Sequence, residues 1–142
     1  EVPRLDAEGL TPAQVDARFR QMAFDFIAEN PGRFMGLVAR RLYLYWSPDF
    51  PTYSLKHNLV NAAIYLPLYA LMGLGLAVLW RRRPGYAWLF LTLFVYFSAL
   101  HALTIVDWDQ RYRLPLQPFI VILAGGGLVW LARAARRWAV KP

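Results

Sequence analysis

Apolar positions recur along this chain in two rhythms, and the change from one to the other falls near His57. Before it, apolar residues return at helical spacing among charges. Val15, Phe19, Met22, Ala23, Phe26 and Ile27 share one face, while Asp16, Arg18, Arg20 and Asp25 occupy the other. Thr11-Pro12-Ala13-Gln14 opens this helix with a cap, a proline at the first helical position and a Gln that completes a capping box, and the pattern runs to Glu29. Asn30-Pro31 repeats the device, with an Asn cap before the proline. A second helix then gathers Phe34, Leu37, Val38, Leu42, Tyr45 and Trp46 on one face, with Arg33, Arg40 and Arg41 mostly off it, and stops at Trp46-Ser47-Pro48. Residues 1–10 read as an extended lead-in, and the Pro51-containing segment up to His57 as a loop.

After His57 the alternation gives way to unbroken apolar runs. Leu59 to Trp80 carries no charge, Tyr86 to Val106 has only the titratable His101, and Leu114 to Ala132 is the third. A helix needs about 20 apolar residues to cross a bilayer, and strands are far shorter, so three spans are expected at 59–80, 86–106 and 114–132. Pro67 is expected to kink the first, and Gly73 with Ala77 to give it a small-residue face for close helix contact. Gly125-Gly126-Gly127 reads as close packing in the third. Arg81-Arg82-Arg83-Pro84-Gly85 reads as a tight basic turn, with Pro115 and Pro118 in the first turn of the last span. The expected fold is all-α: a polytopic membrane protein fragment with three transmembrane helices preceded by an amphipathic helical pair. Residues 1–58 form the amphipathic segment and 59–142 the spans with a basic tail.

Composition sharpens the membrane assignment. Of 142 residues, 58% are hydrophobic and only 18% charged, against about a quarter charged in a soluble domain. The chain opens at Glu1-Val2-Pro3 without an initiator methionine or a basic-then-apolar leader, and is expected to be a piece of a longer polypeptide. With no cysteine, disulfides, thiolate metal sites and thiol nucleophiles are excluded.

Charge then orients the spans. Acids and bases balance up to His57, so the whole excess of +7 lies beyond it. A pI near 10.1 would suit a nucleic-acid binder, but these charges flank apolar runs rather than line a polar face, so no nucleic-acid partner is expected. Counting basic residues near the spans puts Arg81, Arg82, Arg83 and the tail with Arg133, Arg136, Arg137 and Lys141 in the cytoplasm. Residues 1–58 and 107–113 then face outward from a plasma (inner) membrane, with Arg40 and Arg41 counting weakly against that orientation.

The candidate chemistry lies in His101 to Pro118, where Asp107, Asp109, Arg111 and Arg113 interleave with Trp108 and Tyr112 between two apolar runs. Paired guanidinium groups beside a bilayer suit a lipid phosphate, and local ion pairing with interfacial anchoring is the plainer use of the same residues. His101, roughly two turns inside its span, can serve a phosphate, a sugar hydroxyl or a neighbouring helix. Arg40 and Arg41 suit an anionic headgroup or a lipid-linked phosphate, or form the solvated edge of a surface helix. One histidine with distant acids does not make a metal site. No cofactor is assigned, and a divalent metal is left open.

The run FDFIAENPGRFMGLVARRLYLYWSP, then two spans, then a histidine ahead of RYRLPLQPF and a final span with a basic tail, has a further meaning. It resembles the C-terminal part of bacterial GT-C-type polyprenyl-phosphate-dependent glycosyltransferases, relatives of protein O-mannosyltransferases and lipid A aminoarabinose transferases. The resemblance covers nearly the whole chain, through loose motifs in a moderately specific order. It implies an enzyme passing a sugar from a polyprenyl-phosphate donor to a lipid, glycan or protein acceptor on the outer face. The family's catalytic carboxylate belongs to an N-terminal loop not contained here, so this segment alone is expected to be inactive and to have the remaining N-terminal helices as partners. What the resemblance carries over is donor-phosphate binding by Arg111, Arg113, His101, Tyr112, Arg40 and Arg41; Asp107 and Asp109 match no catalytic acid. Two alternatives stand beside it: a non-catalytic membrane assembly or lipid-binding module, and a fragment of a flippase or polymerase for lipid-linked glycans.

Overall fold

A computed structural model describes residues 11–48, 53–104 and 110–139, with the side chains of all of these but 110, 111 and 139. The fold is all-α, with no strand among the described residues. Five α-helices follow one another there: α1 (Pro12–Glu29), α2 (Pro31–Trp46), α3 (Leu55–Arg82), α4 (Pro84–Thr104) and α5 (Gln117–Ala139). A 3-10 helix, Gln110–Leu116, leads into α5. The lead-in 1–10, Pro51, and Asp107, Trp108 and Asp109 lie outside the described residues.

The chain divides into two compact units, Glu1–Ala39 and Arg40–Pro142. In the first, the expected cap of α1 is present: the Thr11 backbone N–H donates to Gln14 Oε1 at 2.9 Å. Asn30 departs from its expected role. Its backbone N–H and its side-chain amide both donate to the Phe26 carbonyl, at 2.9 and 3.4 Å, so Asn30 closes α1 instead of capping α2 with its side chain. The freed carbonyls at a helix end compete for the same polar group, and here they win it. Phe19, Met22 and Phe24 of α1 remain exposed.

In the second unit, α3, α4 and α5 are each long and apolar enough to cross a bilayer. Many of their large apolar side chains point outward, among them Leu59, Ile64, Leu66, Val95, Val121 and Ile122. A surface of that kind is stable under lipid rather than water. α3 is continuous through Pro67. It also starts earlier than the apolar run does: Lys56 and His57 are helical, not loop, and Ser54 Oγ sits 2.7 Å from His57 Nδ1 across the first turn. The basic turn is shorter than expected. α3 runs to Arg82, Arg83 caps it, and Pro84 begins α4, since proline fits the first position of a helix without losing a hydrogen bond.

The last span is also longer than its apolar run. Pro115 lies in the 3-10 helix and the α-helical ladder begins only at Gln117, because proline has no N–H and its ring crowds the preceding turn. α5 then continues past Ala132 through Arg133, Arg136 and Arg137 to Ala139. Loss of apolar character ends the lipid-facing segment, but arginine and alanine favour the helix and carry it on.

α3 and α5 run parallel. Tyr65 meets Gln117, and ten residues further along each helix Gly75 meets Gly127. There the backbones touch. A Cβ on Gly75 would collide with the Leu123 carbonyl oxygen and stand 3.0 Å from the Gly127 nitrogen, and a Cβ on Gly127 would collide with the Leu71 carbonyl oxygen. The close contact therefore uses Gly75, not the expected Gly73–Ala77 face. Gly73 has open space around its Cβ position and Ala77 is exposed, because two residues turn a helix by about 200° and put Gly73 on the opposite side. Of the triple glycine, only Gly127 makes the crossing; Gly125 and Gly126 face open space. Tyr45, Phe94, Leu116, Ile120 and Leu123 form the core of this unit, so the best-packed region lies toward the start of α5.

Candidate functional site

At that well-packed end, the last turns of α2 meet the end of α4, the 3-10 helix and α3. Each contact follows from a polar atom that an apolar surrounding would otherwise strand. The Trp46 indole N–H donates to Ser98 Oγ at 3.0 Å, and the Tyr45 hydroxyl donates to the Tyr112 carbonyl at 3.3 Å. Arg41 Nη1 donates to the Ala102 carbonyl at 3.3 Å, placing a cation near the C-terminal, negative end of α4.

Arg113 is 1% exposed. Its Nη1 donates to the Tyr69 hydroxyl at 2.6 Å, and its guanidinium lies over the Tyr65 ring, 5.0 Å from the centroid. Gln117 Nε2 donates to the Tyr65 hydroxyl at 3.3 Å, which fixes the ring that carries the cation. His101, 5% exposed, lies between two aromatic rings, with centroids 4.6 Å from Tyr45 and 5.4 Å from Tyr112. Its Nδ1 is buried without a hydrogen-bond partner among the described residues. Arg41 and Arg113 are both near enough to act on it electrostatically. Burial pushes the Tyr45 hydroxyl above its ordinary 10.0, with the Arg113 charge pulling the other way, so it stays a neutral donor.

Four of the six expected residues are thus brought together: Arg41, His101, Tyr112 and Arg113. Arg40, next to Arg41 on α2, is exposed. Arg111 lies on the 3-10 helix, and its side chain is outside those described. His101 sits in the last described turn of α4, between aromatic rings, and residues 105–109 beyond it lie outside the described residues. Sequence reasoning missed Tyr65, Tyr69, Ser98 and Gln117. The signal for the first two was a pair of hydroxyls at helical spacing inside an otherwise uncharged span, where such groups need partners.

Among the described residues the charge at the cluster is one-sided, with Asp107 and Asp109 lying outside them. Residues 53–104 and 110–139 contain no Asp or Glu. Among the described residues no group of His, Asp and Glu side chains is arranged to hold a metal ion. The arrangement is therefore suited to an anion: two guanidinium groups, one of them deeply buried, and a histidine with a nitrogen to offer. No family model, curated protein or solved structure matches the chain.

Proposed function

We propose that this chain is the C-terminal membrane region of a glycosyltransferase that takes a sugar from a polyprenyl-phosphate donor, and that Arg113, Arg41 and His101 serve the donor phosphate. The observation that carries the reading is their convergence at one end of the three spans, with Arg113 buried against Tyr69, Arg41 at the Ala102 carbonyl and both charges acting on His101. A cation held rigidly in apolar surroundings stabilises charge developing on a leaving phosphate far more than a solvated one does. On this reading Arg111 and Arg40 also serve the donor phosphate, and Tyr112 packs against His101. The cluster faces away from the cytoplasm, and Arg81 to Arg83 face toward it.

The test is turnover in the full-length protein that contains this chain, with a polyprenyl-phosphate sugar as donor. Arg113→Met is expected to lower turnover roughly 100-fold, the scale of a lost charge-stabilising donor, with membrane insertion unchanged. Arg111→Ala is expected to lower it less. Unchanged turnover in Arg113→Met would refute the reading.

One observation favours a second reading. The bonds from Arg41 to Ala102 and from Arg113 to Tyr69 are internal, as a cluster that only pins the end of α2 from Arg41 onward to the spans would make them. That suits a non-catalytic assembly module. Under it, Arg113→Met loses folded protein in proportion to any activity lost.

A further inference from the structure

The opposite end of the spans holds a groove of about 600 Å³ between α3 and α5. Its floor is apolar and small-residue: Val78, Gly125, Gly126 and Val129. Its mouth is set with Arg82, Arg133 and Arg137, all exposed. Helical spacing explains the mouth, since Arg133 and Arg137 are four residues apart on α5 and Arg82 ends the parallel helix beside them. The floor exists because Gly125 and Gly126 have nothing within 4 Å of where a side chain would begin. Trp130, which also lines the groove, places an amphipathic ring at the depth where apolar floor gives way to charge.

We propose that this groove is a binding site for one anionic phospholipid from the leaflet at the arginine end. The phosphate is held by Arg82, Arg133 and Arg137, and an acyl chain lies over Gly125 and Gly126 against Val78 and Val129. Charge complementarity selects the headgroup: three cations converge, and 53–104 and 110–139 hold no carboxylate to neutralise them. The apolar floor selects a lipid over free phosphate, because a soluble anion leaves the groove unfilled. This site is at the other end of the spans from the donor cluster and stands independently of that reading.

The test measures how much phosphatidylglycerol and phosphatidylcholine of identical acyl chains stay bound to the purified full chain through detergent exchange, by mass spectrometry. Wild type is expected to retain phosphatidylglycerol preferentially. Arg133→Gln and Arg137→Gln should each lower its retention about 5-fold, the weight of one basic residue near an anionic surface. Gly126→Leu fills the groove and leaves the charges in place; it should abolish the preference, and its open surroundings let the variant fold. Equal retention of the two lipids by wild type would overturn the site. So would full retention in Gly126→Leu, which would reduce the effect to a charged surface, or displacement of the lipid by inorganic phosphate.

Discussion

The two ends of the three-span region are both rich in arginine, and they use it in opposite ways. At one end Arg113 is buried on Tyr69 and Tyr65, and Arg41 reaches the carbonyl of Ala102. At the other, Arg82, Arg133 and Arg137 are exposed around an open groove. The same side chain is a fixed internal charge in one place and a solvated or headgroup-facing one in the other. The difference comes from neighbours. Tyr65 and Tyr69 on α3 hold Arg113, while Gly125 and Gly126 leave open the groove that Arg133 and Arg137 line.

The largest loss is expected where α3 and α5 touch, between the two ends. Gly75→Leu or Gly127→Leu forces α3 and α5 apart and is expected to cost more than about 4 kcal/mol, read as loss of folded protein after extraction in mild detergent. Gly73→Ala, in open space on the same helix, should leave the folded yield at wild-type level. Next comes Tyr69→Phe, which removes the acceptor of a charged donor at the buried end and should cost about 1.5–3 kcal/mol in reversible unfolding. Ser98→Ala leaves the Trp46 indole N–H without its acceptor and should cost about 1–2 kcal/mol in the same assay. Smallest is Arg82→Gln at the exposed end, expected to stay within about 0.5 kcal/mol of wild type. If Arg82→Gln destabilised as much as Tyr69→Phe, the two ends would not differ in the way described.

Much of the fold was legible before the structure. Period-3.6 patterning gave α1 and α2 with their ends, and the uncharged runs gave three spans. What stayed illegible depends on which face of a helix meets which neighbour. Gly73 and Gly75 are two residues apart and look alike in sequence, yet only Gly75 lies toward α5. Hydropathy also marks where lipid contact ends, not where a helix ends, so Lys56 and Arg133 fell outside the expected spans while lying inside helices. At the candidate site, Arg113, Arg41 and His101 stood out as charge in an apolar context. Tyr65, Tyr69 and Gln117 did not, because a tyrosine or glutamine in a span acquires meaning only from the group it faces. Whether an arginine beside a span is buried or solvated is likewise set by tertiary contacts such as Tyr69 to Arg113, which cross 44 residues of chain.

As proposed above, the polyprenyl-linked phosphate belongs to the buried end, and the exposed end is left to a phospholipid. The most direct measurement is the affinity of the purified full-length protein that contains this chain for a polyprenyl phosphate, compared among wild type, Arg113→Met and Arg137→Gln. Binding is expected to weaken at least about 10-fold in Arg113→Met, the scale of one lost charge-assisted contact, and to stay unchanged in Arg137→Gln. The reverse pattern, with Arg113→Met at wild-type affinity and Arg137→Gln weakened, would contradict it.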